Sequence, residues 1–144
     1  MKTINTQLNF FITLAQAYAK INQAFDRHLI GGLGFNDLII LYHLSQTPDE
    51  KMRRIDLADK IGITPSGITR MLLPMEKSGL VKREASGEDA RVSYVKLASG
   101  GKRLLEETIE EANFLSEEIL PSTKLNKIKS INEIFSLFYL GKIH

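Results

Sequence analysis

Apolar residues recur every third or fourth position along most of the chain, and the rhythm breaks only at glycine, proline or short alternating runs. Ile4, Leu8, Phe11, Ile12, Ala15, Tyr18, Ile21, Phe25 and Leu29 keep that spacing over residues 4–30, which predicts one long amphipathic helix. GGLG closes it. A second helix from about Asn36 is predicted to carry Leu38, Ile39, Leu41, Tyr42 and Leu44 into a core.

Two shorter helical patterns follow TPDEKM. Leu57, Ala58 and Ile61 share one face, Gly62 provides a left-handed close, and Thr64-Pro65 starts another helix with a capping hydroxyl and a residue that needs no donor. In that next helix Ile68, Met71, Leu72 and Met75 face inward, leaving Ser66, Thr69, Arg70, Leu73 and Lys77 outward. Two helices joined by so tight a corner form a helix-turn-helix. Residues 80–84 and 91–97 alternate and are rich in Val, Tyr and basic side chains, with ASGEDA between them marking a turn, so a β-hairpin with Val95 and Leu97 inward is expected.

Beyond the hairpin, Leu104, Leu105, Ile109, Ala112, Leu115 and Ile119 form the apolar stripe of a long helix whose wet side carries Glu106, Glu107, Glu110, Glu111, Glu117 and Glu118. Pro121 ends it. A last helix from about Ser122 aligns Leu125, Ile128, Ile131, Ile134, Phe135 and Phe138. The fold class is therefore mainly α with a small β-hairpin wing, in one chain of 144 residues: a winged helix-turn-helix lobe over residues 34–98 and a helical lobe from residues 1–30 and 99–144. The terminal stripes exceed what one small lobe can cover, so pairing with a second copy is expected; the alternative is an intramolecular three-helix bundle.

Charge sharpens this picture. Residues 51–103 hold 12 Lys or Arg against 6 Asp or Glu, whereas the rest holds 7 against 11, so a basic central segment is set in an acidic remainder. That distribution suits a nucleic-acid-binding lobe. Without cysteine, disulfides and thiolate metal sites are excluded, and a reducing cytoplasm is expected. No apolar run reaches the length of a membrane span, and MKTINTQLNF lacks the order of a signal peptide.

An outward helix face bearing Ser66, Thr69, Arg70 and Lys77 suits the major groove, with Thr64 at its start. Arg91, near the hairpin tip, can enter a minor groove, with Asp89 two residues earlier holding it. Arg53, Arg54, Lys82, Arg83 and Lys96 are candidate phosphate contacts. For catalysis the chain offers only His28, His43 and His144 without a paired acidic motif; His28 and His43 with Asp37 form the one conceivable metal set, and no cofactor motif is present. A protein-binding winged helix is the rival class.

The stretch LADKIGITPSGITRMLLPMEKSGLVKR, the wing motif at residues 89–91 and the strand VSYVKL resemble the winged helix of the MarR family of bacterial transcription regulators, and the helix lengths on either side agree. The resemblance implies an obligate homodimer on a pseudo-palindromic double-stranded DNA operator, more often a repressor than an activator, with Arg91 contacting DNA and Asp89 orienting it. It also implies a small aromatic or phenolic effector in a crevice between the lobes, for which Tyr18, Phe25, His28 and Tyr42 are the candidates. Two positions depart from the family pattern: Pro74 inside the second helix of the motif, where a bend is expected, and Ala98 in place of a threonine, which leaves Ser99 to cap the next helix.

Overall fold

The computed structural model describes residues 1–139, so His144 lies outside the described residues. Helix α1 runs Thr6–His28 and α2 Phe35–Ser45; strand β1 (Lys51–Arg53) leads into α3 (Arg54–Ile61) and α4 (Pro65–Lys77); β2 (Val81–Ala85) and β3 (Ser93–Leu97) form the wing; α5 (Ser99–Ile119) and α6 (Leu125–Tyr139) complete the chain. The sheet is antiparallel in the order β1-β3-β2. Its third strand, β1, has no counterpart among the elements expected from the sequence and pairs Met52 with Val95.

The helix-turn-helix forms for local reasons. Gly62 takes φ 79°, where its amide closes α3 onto the carbonyls of Ala58 and Asp59, and Thr64 Oγ1 accepts from the Gly67 amide at 3.0 Å to cap α4. Pro74 lies inside α4, which continues through it to Lys77, although the Arg70 carbonyl loses the donor four residues on. The helix survives because Leu72 and Met75 on either side of it are buried.

One core spans both lobes. Ile40, Leu41 and Leu44 from α2, Leu57 from α3, Ile68 and Leu72 from α4 and Val81, Val95 and Leu97 from the sheet are buried, with Leu105 and Ala112 of α5 joining them. Two expectations for α2 are corrected: Ile40 is fully buried, while Tyr42 is 49% exposed. Four consecutive apolar residues from Leu38 leave the phase of a helix open, and packing on α5 selects the face carrying Leu38, Leu41 and Leu44 together with Ile40. The cap of helix α5 lies one residue before the expected one: Ala98 is the N-cap, and Ser99 is the first helical residue and caps nothing. The Ala98 amide instead donates to the Leu80 carbonyl at 3.0 Å, which ties the end of the wing to the end of the helix-turn-helix.

At the chain ends Phe10 packs against Phe135 and Phe11 against Phe138, with ring centroids 6.4 and 5.8 Å apart. Leu8, Phe11 and Ile12 of α1, Phe114 of α5 and Ile131 and Ile134 of α6 remain exposed, and α6 buries no residue. The intramolecular three-helix bundle, the alternative to pairing with a second copy, therefore forms only in part among the described residues.

Candidate nucleic-acid interface

Helix α4 turns Ser66, Thr69, Arg70, Leu73 and Lys77 to solvent, as the apolar spacing predicts. Two of its hydroxyls are already engaged. Thr64 caps the helix and lies 3.2 Å from Ser66 Oγ, and Thr69 Oγ1 donates to the Pro65 carbonyl at 3.1 Å.

The wing tip is organised by two side chains. Ser86 Oγ accepts from the amides of Glu88 and Asp89, at 3.2 and 3.3 Å, while the Ser86 amide donates to the Val92 carbonyl. Ser86 is one of the residues that mark this turn in the sequence, and a serine two or three residues before the amides of a turn is the usual sign of this arrangement. Asp89 then takes a fork from Arg91: Nε to Oδ1 and Nη2 to Oδ2, both 3.2 Å, with the Arg91 amide on Oδ1 at 2.9 Å. These bonds from the Arg91 side chain, then from its amide, hold the Asp89 carboxyl below its ordinary range. The guanidinium stays 90% exposed, so the pair aims a cation outward instead of neutralising it in a core.

Between the start of α4 and the wing lies a cleft of about 270 Å³ lined by Arg53, Arg54, Ile55, Thr69, Arg91 and Ser93, among others. Three of the expected contacts, Arg53, Thr69 and Arg91, therefore meet on one concave surface. Arg54 is a correction. Its side chain is 11% exposed and donates at 3.0 Å to Glu76 Oε1 and at 3.4 Å to Thr69 Oγ1, so it braces the first turn of α3 against the far half of α4. An arginine committed to a carboxylate under that little water is not available as a phosphate contact.

The remaining cations divide by the pleat of the sheet. Lys82 stands opposite Lys96, which stands opposite Lys51, so three lysines form one row across the solvent face; Arg83, paired with Val95, projects from the other face. Lys82 and Arg83 thus cannot address the same surface. Lys51 reaches Glu84 at 2.9 Å and lies over the Tyr94 ring, which relieves part of the repulsion in that row. Among the described residues no group of three or more His, Asp or Glu is placed to hold a metal: Asp37 accepts from the Gly34 amide at the start of α2, His43 packs beside Tyr42, and His28 is exposed.

Residues 36–93, which contain α4, the cleft and the Asp89-Arg91 fork, match the family model described as the MarR family. Over this segment the chain resembles the MarR family. Among curated relatives, the uncharacterized HTH-type transcriptional regulator YdgJ of Bacillus subtilis is 25% identical over 69% of this chain, a stretch that covers only 57% of the relative. The HTH-type transcriptional regulator MhqR of the same organism is 25% identical over 88% of this chain and 87% of its own. Among solved structures, the MarR-family regulator Sco3205 of Streptomyces coelicolor, in complex with DNA, has a TM-score of 0.85 at 21% identity and covers 100% of this chain and 92% of its own. BldR of Sulfolobus solfataricus has a TM-score of 0.80 at 27% identity, over 94% and 99%. The organohalide-sensing regulator RdhR-CbdbA1625, in its 2,4-dichlorophenol-bound form, has a TM-score of 0.73 at 19% identity, over 98% and 87%.

A second concavity of this chain, about 460 Å³, opens between α1, α2 and α5. Phe25 and Phe35 stack on its wall with centroids 4.4 Å apart. Of the four residues proposed for an effector crevice, Phe25 and Tyr42 line it, and Tyr18 and His28 do not. Tyr18 is held away by its hydroxyl, which donates to Asn36 Oδ1 at 2.9 Å. Ile21, Leu38, Ile39, Leu105 and Ile109 complete the apolar wall, and none of them was assigned to it from sequence. No helix among the described residues is long and apolar enough to cross a membrane.

Proposed function

We propose that this chain is a sequence-specific, double-stranded DNA-binding repressor that works as a homodimer and is released by a small aromatic ligand. The observation that carries the reading is the Asp89-Arg91 fork: an outward guanidinium fixed at the wing tip, sharing a cleft with Arg53 at the start of α3. A cation on a rigid finger beside an outward helix matches the geometry of one major-groove and one minor-groove contact per chain. Arg70 then offers a fork to guanine and Leu73, 51% exposed on the same face, an apolar contact for a thymine methyl.

Dimerisation is supported by the leftover apolar surface. Leu8 and Ile12 of α1 and Ile131 and Ile134 of α6 are between 42% and 47% exposed, and surface of this kind clustered on two adjacent helices usually marks an interface. A twofold pair sets two α4 helices in successive major grooves roughly 34 Å apart, so the operator is an inverted repeat. The cavity between the helical lobe and α2 supports release by a ligand, which acts through unequal affinity for the DNA-competent and incompetent spacings of the pair. Selection of bound sequences from random duplexes tests the reading. Recovery of an inverted repeat is expected; no enrichment at low salt would end it.

A further inference from the structure

The cavity between α1, α2 and α5 has a chemical character that the effector reading leaves open. Its volume of about 460 Å³ lies in the range of small-molecule sites. Its wall is aromatic and aliphatic, and the polar side chains on it are Tyr42, Asn113 and Ser116. Ser116 Oγ already donates to the Ala112 carbonyl at 2.7 Å. That leaves one phenol and one amide for a ligand. No Lys, Arg or His lines the cavity among the described residues.

Glu106, Glu110 and Glu117, which follow Leu105, Ile109 and Ser116 along α5, are exposed and do not line the cavity. An anion moved into this site gives up its hydration and finds no cation on the wall.

We infer that the cavity binds neutral aromatic ligands carrying a single hydroxyl or carbonyl group and rejects their carboxylate counterparts. This rests on the effector reading and adds a charge rule to it. The Phe25-Phe35 stack offers such a ligand a face for its ring, and Tyr42 and Asn113 offer its hydroxyl partners in place of lost water. A carboxylate of the same size has the same apolar contacts but no partner for its charge. An acidic phenol enters as the neutral species, so its apparent affinity falls as its hydroxyl ionises.

The test is calorimetric titration of the full chain with 1-naphthol and 1-naphthoate at neutral pH. The expected result is binding of 1-naphthol with 1-naphthoate weaker by at least about tenfold. Asn113→Arg, on an exposed position of α5, should bring 1-naphthoate up towards 1-naphthol. Equal or tighter binding of the carboxylate to the unaltered chain would overturn the charge rule and leave the effector site standing. If neither compound binds, the effector site itself falls, and the rule with it.

Discussion

Replacing Arg54 with alanine separates bracing from DNA contact. The substitution leaves Glu76, 23% exposed, without its guanidinium, and removes the contact to Thr69 on the outward face of α4. Breaking a fully buried ion pair from one side costs about 3–5 kcal/mol, and a single charge-assisted hydrogen bond contributes about 1.5–3 kcal/mol. Water still reaches part of the Glu76 carboxylate, so the lower part of that span applies and the loss should be about 2–3 kcal/mol. For a chain of this length that is roughly 6–10 °C in Tm. Urea and thermal melts at one fixed protein concentration give the number, since the apparent stability of an oligomer moves with concentration. A double change of Arg54 and Glu76 to methionine should recover most of it, because the charges and their desolvation leave together. In parallel, the slope of log affinity for DNA against log salt should stay unchanged for Arg54→Ala, and should flatten by about 1 for Arg53→Ala if Arg53 meets a phosphate. Unchanged melting with a flattened slope for Arg54→Ala would refute the brace and make Arg54 a DNA contact.

Other consequences are equally direct. Arg91→Ala should weaken operator binding at least about fivefold with an unchanged melt, and equal binding would remove the wing from the mechanism. Gly101→Ala should destabilise by more than about 2 kcal/mol despite the better helix former, because a Cβ there overlaps the Leu80 carbonyl; Gly87→Ala, where a Cβ meets nothing, should be neutral. Asp89 titrates below its ordinary value in the folded chain, so its stabilising contribution is present above the unfolded value and is lost as pH falls through the folded one. Its fork with Arg91 should therefore persist at mildly acid pH, followed by the Arg91 Nε–H resonance. Burial, then the Lys60 charge, lowers the His43 imidazole from 6.5. The unfolded chain then binds the proton first, stability declines as pH falls through about 6.5, and His43→Gln should flatten that decline in urea melts.

What the sequence made legible was whatever is decided within a few residues. Gly62 and Thr64-Pro65 act through their own backbone, so both ends of the helix-turn-helix corner could be placed from the chain alone. The Asp89-Arg91 pair spans two residues and formed as expected. What stayed hidden depends on partners far along the chain. Lys51-Met52-Arg53 has one apolar position and becomes a strand only because β3 offers it an edge. Arg53 and Arg54 are neighbours of equal charge, and only the turn at the start of α3, which points one at solvent and the other at Glu76 22 residues later, tells them apart. The cavity wall combines three helices, so Ile21, Leu38 and Leu105 read as ordinary core, and Tyr18, placed in the crevice by family resemblance, bonds to Asn36 instead, a contact with no local signal.

The central claim is that two copies of the α3-α4 corner and its wing engage one duplex together. Footprinting a selected duplex, with the mass of the complex measured on the same sample, tests it most directly. Two protected patches on one side of the helix, about one turn apart, with two chains per duplex, is the predicted result. A single patch with one chain per duplex, or a complex with no defined footprint, would contradict it.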